Sequence, residues 1–327
     1  MIFSRRRWLH AASLAALAVI SPAARAQVYP SRPIRLVVPF PPGGAFDTLG
    51  RPLADRLKQV LGTVIIENIG GGGSSLGASA VAHAAPDGYT ILLGGTLPHV
   101  NEALLKSRPL YDPVKDLDPI ANVANNTIGI AVHPAVPAKT LAELVAYAMA
   151  NPGKLSYGHV GIGSTNHLAG EMLKSLTGID IVQVPYRGAG PATADLLAGQ
   201  IPMGMIAVTG QGVELHRSGK IRMLAVTSEK RLTAAPEIPT ASEAGVPGLV
   251  VVNALGLLAP AHTPKEIIER LAQAVHAAMA DQAFVQLLIA SGFEPDLDST
   301  PGKFRRSLED DIAHWTPIVQ ALGLKID

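Results

Sequence analysis

Short β-branched runs alternate along this chain with longer stretches in which Leu and Ala recur every three or four positions. The short runs read as buried strands and the longer ones as amphipathic helices. The sharpest case is Leu36-Val-Val-Pro-Phe-Pro-Pro-Gly-Gly-Ala-Phe-Asp47. Residues 34–38 predict a strand that the prolines at 39, 41 and 42 cannot continue, and Gly43-Gly44 free the backbone. A helix is predicted over 48–60, with Leu49, Leu53, Leu57 and Leu61 on one face and Asp47 as its N-cap. Strand, glycine turn and helix start place unpaired first-turn amides at the carboxyl end of a strand. There the helix dipole holds an anion without help from Lys or Arg.

The pattern then repeats. Residues 64–67 predict a second strand, which runs into Gly70-Gly-Gly-Gly-Ser-Ser75 and a helix over 76–84. Residues 90–93 predict a third, followed by Gly94-Gly95-Thr96 and a loop carrying His99 and Asn101. If these strands are parallel neighbours, their loops converge on one rim. A strand at 128–132 leads out of this first lobe, and Thr140 caps a helix to about 150. Leu155-Ser-Tyr-Gly-His-Val-Gly-Ile-Gly-Ser-Thr-Asn-His167 gives strand, glycine loop and helix start again. Strands follow at 181–184, 201–206 and 223–227, with Pro191 opening a helix to 198. The apolar run 250–258 returns to the first lobe, and helices at 265–280, at 282–291 and after Thr300-Pro301 close the chain. The expected architecture is two α/β lobes around a cleft: 27–127, 128–250, and 251–327 returning to the first lobe.

Composition narrows the partners. The 327 residues carry a formal charge of +1, and no basic block follows the N-terminal region, so nucleic acid is not an expected partner. The sequence contains no cysteine, which excludes disulfides, thiolate metal sites and cysteine nucleophiles. At the N-terminus, Arg5-Arg6-Arg7, the apolar stretch 11–20 and Ala24-Arg25-Ala26 form a leader cleaved near Gln27. Ser4-Arg-Arg-Arg-Trp-Leu9 also resembles a twin-arginine signal. The mature protein is expected to be soluble and periplasmic.

Candidate chemistry is sparse. Gly73-Ser74-Ser75-Leu76-Gly77 matches the G-x-S-x-G pattern, yet several loop residues separate Ser75 from its strand, where a nucleophile elbow needs a tight turn. The glycines lack the Gly-Lys-Ser/Thr ending of a phosphate loop, and Gly161-Ile-Gly163 lacks the third glycine of the dinucleotide fingerprint. His159 and His167 have no nearby carboxylates at zinc spacing. No cofactor, metal or catalytic constellation is expected. In Pro185-Tyr186-Arg187-Gly188, Arg187 either grips a carboxylate bidentately or is a solvated loop residue. Tyr186 offers a hydroxyl or packs on a helix. Ser164 and Thr165 stand at an N-cap, and their hydroxyls cap the helix or face a ligand.

The mature chain resembles the extracytoplasmic receptors of tripartite tricarboxylate transporters, the Bug receptors. The resemblance rests on residues 29–44, Ala85-Pro-Asp-Gly-Tyr-Thr90, Tyr111-Asp-Pro-Val-Lys-Asp116, Asn151-Pro-Gly-Lys-Leu-Ser-Tyr-Gly158, His167-Leu-Ala-Gly-Glu171, Val184-Pro-Tyr-Arg-Gly188, Leu224-Ala-Val-Thr227 and Gly256-Leu-Leu-Ala-Pro260, all in order. It implies a two-lobed, type II periplasmic-binding-protein-like α/β fold that closes over a small organic carboxylate and delivers it to membrane permease subunits, with the receptor a monomer. It carries over Gly43, Gly44, Phe46, Asp47, Thr96, Ser164, Thr165 and Tyr186 as ligand contacts, and Phe40, Ser75, His159 and Arg187 lie in or beside the matching loops. Three departures stand out. Ser74-Ser75 replaces the family's Gly-Asn, His159-Val160 replaces a Ser-Ser pair, and Ile206-Ala207 stands where many members carry an Asp. Loss of that carboxylate points away from amino acids and toward plain mono- or dicarboxylates. A sensor feeding a signalling partner and an esterase-like hydrolase using Ser75 are the alternatives.

Overall fold

The computed structural model describes residues 29–323 and 325; the leader expected at 1–26 lies outside them. Strand β1 (Ile34–Val38) buries every side chain but Arg35 and pairs in parallel with β2 (Val64–Asn68) on one side and β3 (Thr90–Gly95) on the other. Parallel neighbours need crossovers. They are α1 (Ala45–Leu61) and, after a tight turn at Gly72–Ser74, α2 (Ser75–Ala82). Leu49, Leu53, Leu57 and Leu61 of α1 are buried together, as the four-residue spacing demands. The helix starts at Ala45 rather than 48, because Gly44 is extended and its carbonyl accepts the first helical hydrogen bond, from Thr48 N–H at 2.9 Å.

The expected loop after β3 is instead helix α3 (Thr96–Leu105). Gly94 and Gly95 stay in the strand, which pairs antiparallel with β9 (Val252–Pro260). A Cβ on Gly94 would lie 2.4 Å from Leu258 Cδ1, and one on Gly95 2.7 Å from Asn253 Oδ1. These glycines permit close packing and make no turn.

Strand β4 (Leu117–Val132) is 16 residues long, where only 128–132 was expected. Asn122, Asn125 and Asn126 interrupt its apolar pattern, and the ladder to β9 is bulged between Pro119 and Ala121 and again between Asn122 and Ala124, so no clean period of two survives. Through Thr127 the strand pairs with β9; from Ile128 it pairs with β7 (Met203–Ala207) and β8 (Arg222–Val226). The second half adds α4 (Leu141–Ala150), β5 (Leu155–His159), α5 (Thr165–Thr177), β6 (Ile181–Pro185), α6 (Ala189–Leu197) and α7 (Gly210–Arg217). Pro191 falls inside the first turn of α6 and does not open it, and α7 was not expected from the sequence. After β9 come α8 (Lys265–Met279), α9 (Gln282–Ala290), the two-residue β10 (Glu294–Pro295) and α10 (Pro301–Leu322). The sheet runs β2-β1-β3-β9-β4-β7-β5-β6, with β8 and β10 also on β4.

Where β4 changes partners, a buried threonine pair closes the junction. The Thr227 hydroxyl donates to Val251 O at 2.8 Å and accepts from Ile128 N–H at 3.1 Å. Thr127 Oγ1 lies 2.9 Å from that hydroxyl and 3.3 Å from Val251 O, so its one proton is shared between these two acceptors. Thr227→Val strands the Ile128 amide and weakens the junction. Chemical denaturation of the ligand-free protein should show a loss of about 1–3 kcal/mol. Thr127→Val should cost less, and the double variant less than the sum, because the two share a bond.

Candidate functional site

The β1–α1 turn is fixed by one carboxylate. Asp47 is buried, and it accepts from Gly43 N–H at 3.0 Å, Arg51 Nε at 2.9 Å and Asn68 Nδ2 at 3.1 Å. It sits at the third helical position and is not the N-cap expected from the sequence; Gly44 is. Gly43 holds φ +89°, a conformation that favours glycine. Its amide is turned to Asp47, while the Ala45 and Phe46 amides, as first-turn groups of the helix, have no intrahelical partners. Asn68 also donates to Phe40 O at 2.9 Å, and the rings of Phe40 and Phe46 lie 4.7 Å apart. Burial alone would raise the Asp47 pKa, but the bonds from Arg51, Gly43 and Asn68 outweigh it and hold the carboxyl below its ordinary 3.8.

Two further helices aim their N-termini at the same place. Ser164 caps α5, its Oγ accepting from His167 N–H at 3.3 Å, and Thr165 and Asn166 open the first turn. Gly188 (φ +120°) and Ala189 begin α6. With Gly44, Ala45 and Phe46 they enclose a chamber of about 50 Å³, to which β4 adds Asn126, β9 adds Asn253 and β7 adds Ala207. Among the described residues, no charged side chain lines it. Phe40, Pro41, Val160 and Gly188 also line a second, larger outer cleft of about 1440 Å³.

The expected residues divide accordingly. Phe40, Gly44, Phe46, Ser164 and Thr165 line the chamber; Tyr186 and Arg187 line the outer cleft, which Phe40 also borders. Gly43, Asp47, Ser75, Thr96 and His159 line neither. The Ser75 hydroxyl is buried between Glu102, Lys106 and Gly72 O, with no histidine among its hydrogen-bond partners. Thr96 Oγ1 accepts from Ala254 N–H at 3.3 Å. His159 is buried, its ring nitrogens set against Gly161 O at 2.9 Å and Gln183 Oε1 at 2.8 Å, and it stacks on His167 at 4.8 Å. The Tyr186 hydroxyl donates to Asp195 at 2.7 Å; burial and that carboxylate push its pKa up to about 12. Asn126 and Asn253 were missed, since nothing local marks them. Sheet pairing far along the chain brings them in.

Two half-sheets share continuous strands, and helix N-termini from both face one chamber. This is a two-lobed solute-binding protein of the periplasmic-receptor class. Residues 49–324 match the model of the tripartite tricarboxylate transporter family receptors. BugT of Bordetella pertussis is 35% identical over 95% of each chain. Among solved structures, R. palustris Rpa4515 with adipate is 34% identical (TM-score 0.85; 91% of this chain, 99% of that one). MatC from Rhodopseudomonas palustris with bound malate is 32% identical (TM-score 0.83; 89% and 100%). The chain belongs to the tripartite tricarboxylate transporter receptor family.

Replacing Asp47 with Asn removes the charge that binds Gly43 and Arg51 and should lower the melting temperature at pH 7. Because the folded-state pKa is depressed, this stabilisation is complete above the unfolded value near 3.8 and is lost as pH falls through the folded one. The melting temperatures of wild type and variant should therefore converge below that pH. His99 and His167 behave similarly at higher pH. Burial lowers both from 6.5 to about 4, with the His159 ring adding to the effect at His167. The unfolded chain binds more protons between these values, so stability should fall as pH drops from about 6.5 toward 4, measured as melting temperature against pH.

Proposed function

We propose that this protein captures a small organic carboxylate in the inner chamber and delivers it, in the periplasm, to the permease subunits of a tripartite transporter. The observation that carries this reading is the convergence of three helix N-termini on a chamber with no charged wall. Such a site binds an anion through backbone dipoles, which keep their charge at every pH and cannot be neutralised by a proton. The leader expected from the sequence supports the compartment, and among the described residues no helix is long and apolar enough to cross a membrane. Relatives bound to adipate and malate support the ligand class.

Ala207 on the chamber wall supports a plain acid over an amino acid, since no carboxylate stands there to meet an ammonium group. The receptor acts as a monomer whose lobes, 27–127 with 251–327 against 128–250, close on the ligand about the β4 and β9 crossings. Of the residues expected from the sequence, Phe40, Gly44, Phe46, Ser164 and Thr165 are the contacts this reading retains.

A thermal-shift screen against mono-, di- and tricarboxylates tests it. A saturating ligand of the folded state should raise the melting temperature by several degrees. Gly44→Leu should abolish the shift. A Cβ there meets only Ala189 Cβ at 4.0 Å, so the extra bulk projects into the chamber. An amino acid that shifts the protein more than its deaminated analogue would contradict the ligand class.

A further inference from the structure

Asn101, which lines neither the chamber nor the outer cleft, ties the two halves of the fold together. It lies on α3, and its Nδ2 donates to Gly163 O in the turn between β5 and α5, 62 residues further along the chain. A carbonyl oxygen can only accept, so the amide nitrogen faces Gly163 and the orientation of the side chain is fixed. The turn at Gly72–Ser74 meets the same point. Gly73 stands at φ +69°, and a Cβ there would lie 3.0 Å from Ile162 O and 3.6 Å from Gly163 O. Two elements of the first half therefore close on one short turn of the second.

That turn leads directly into the chamber wall. Gly163 N–H donates to His167 Nδ1 at 3.3 Å, and the next three residues, Ser164, Thr165 and Asn166, line the chamber. Leu97, Val100 and Leu105 of α3 belong to one apolar cluster with Leu168 and Leu173 of α5. Apolar burial is non-directional, whereas a hydrogen bond sets position and angle. Among the described residues, no other hydrogen bond joins α3 to α5 or to the turn before it. For stability alone Asn101 is a poor choice. It is buried, and its Oδ1 has no hydrogen-bond partner among the described residues, so a small apolar residue would be less costly to bury. Burial rules are broken in this way where a residue serves function.

We infer that Asn101 is a positioning residue for ligand binding: from α3 it fixes the Gly163 peptide, and through it the first turn of α5, at the chamber. This rests on the carboxylate reading of the chamber and names what holds its second-half wall in place. The residue acts on the assembled site and not on the encounter with the ligand, so its loss appears in the dissociation rate.

Asn101→Ala is the first test. The ligand-free variant should melt close to wild type, because alanine favours a helix and the unpaired Oδ1 goes together with the lost hydrogen bond. Hydrogen exchange in the ligand-free protein should nevertheless quicken about tenfold at Ser164, His167 and Leu168, the hydrogen-bonded amides of that turn, and stay unchanged in β1 and β3. In stopped-flow binding of adipate and of malate, dissociation should be about tenfold faster and association within about twofold of wild type. Gly73→Ala wedges the same contact from the other element and should speed dissociation of both acids too. If Asn101→Ala does not fold, Gly73→Ala decides by the same rates. Wild-type exchange at the three amides, or wild-type dissociation rates in both variants, would overturn the inference and leave the carboxylate reading standing. If no acid binds wild type, the carboxylate reading falls, and the exchange measurement still decides whether Asn101 holds α5 in place.

Discussion

A single strand with two sets of neighbours constrains the whole molecule. β4 pairs with β9 as far as Thr127 and with β7 and β8 beyond it, so its register places the first-half turns against the second-half turns. No flexible linker does this; a backbone hydrogen-bond ladder does, completed at the junction by the Thr127 and Thr227 hydroxyls. β4 and β9 supply Asn126 and Asn253 as chamber walls, and α1, α5 and α6 each contribute their N-terminal residues. The threonine pair supplies directional bonds at the point where β4 changes partners.

The electrostatics are arranged to the same end. A carboxylate beside an anion site would repel the ligand, and Asp47 stands three residues from Gly44. Its charge is turned backward and spent on Gly43, Asn68 and Arg51, where it rigidifies the turn. The chamber is left with oriented amides and small hydroxyls, preorganised and uncharged. Of the cations among the described residues, Lys106, Arg108 and Arg187 line the outer cleft and none lines the chamber.

Much of the fold was legible because its signals are local. The leucines of α1 fell on one face, Thr140 caps α4 through Glu143 N–H, and Thr300 caps α10 through Lys303 N–H. What stayed hidden depends on contacts distant in sequence. Gly94 and Gly95 read as a turn but are strand glycines beneath Leu258 and Asn253. The polar half of β4 was left unassigned, although β9 and Ser299 satisfy it; the Ser299 hydroxyl accepts the Asn122 amide at 2.8 Å. At the site, the glycine turn and the Ser164 cap were visible as local motifs. His159 and Thr96 could not be seen to face inward, since burial of a strand end or a helix start is decided by what packs over it.

The central claim is that backbone amides at helix N-termini, with no charged side chain, hold the ligand's carboxylate. The most direct measurement is a crystal structure of the protein with adipate. The account predicts a carboxylate inside the chamber, within hydrogen-bond reach of the Ala45 and Phe46 amides directly or through one water, with the first turn of α5 opposite. An adipate held wholly in the outer cleft by Lys106 or Arg187, above an empty chamber, would contradict it.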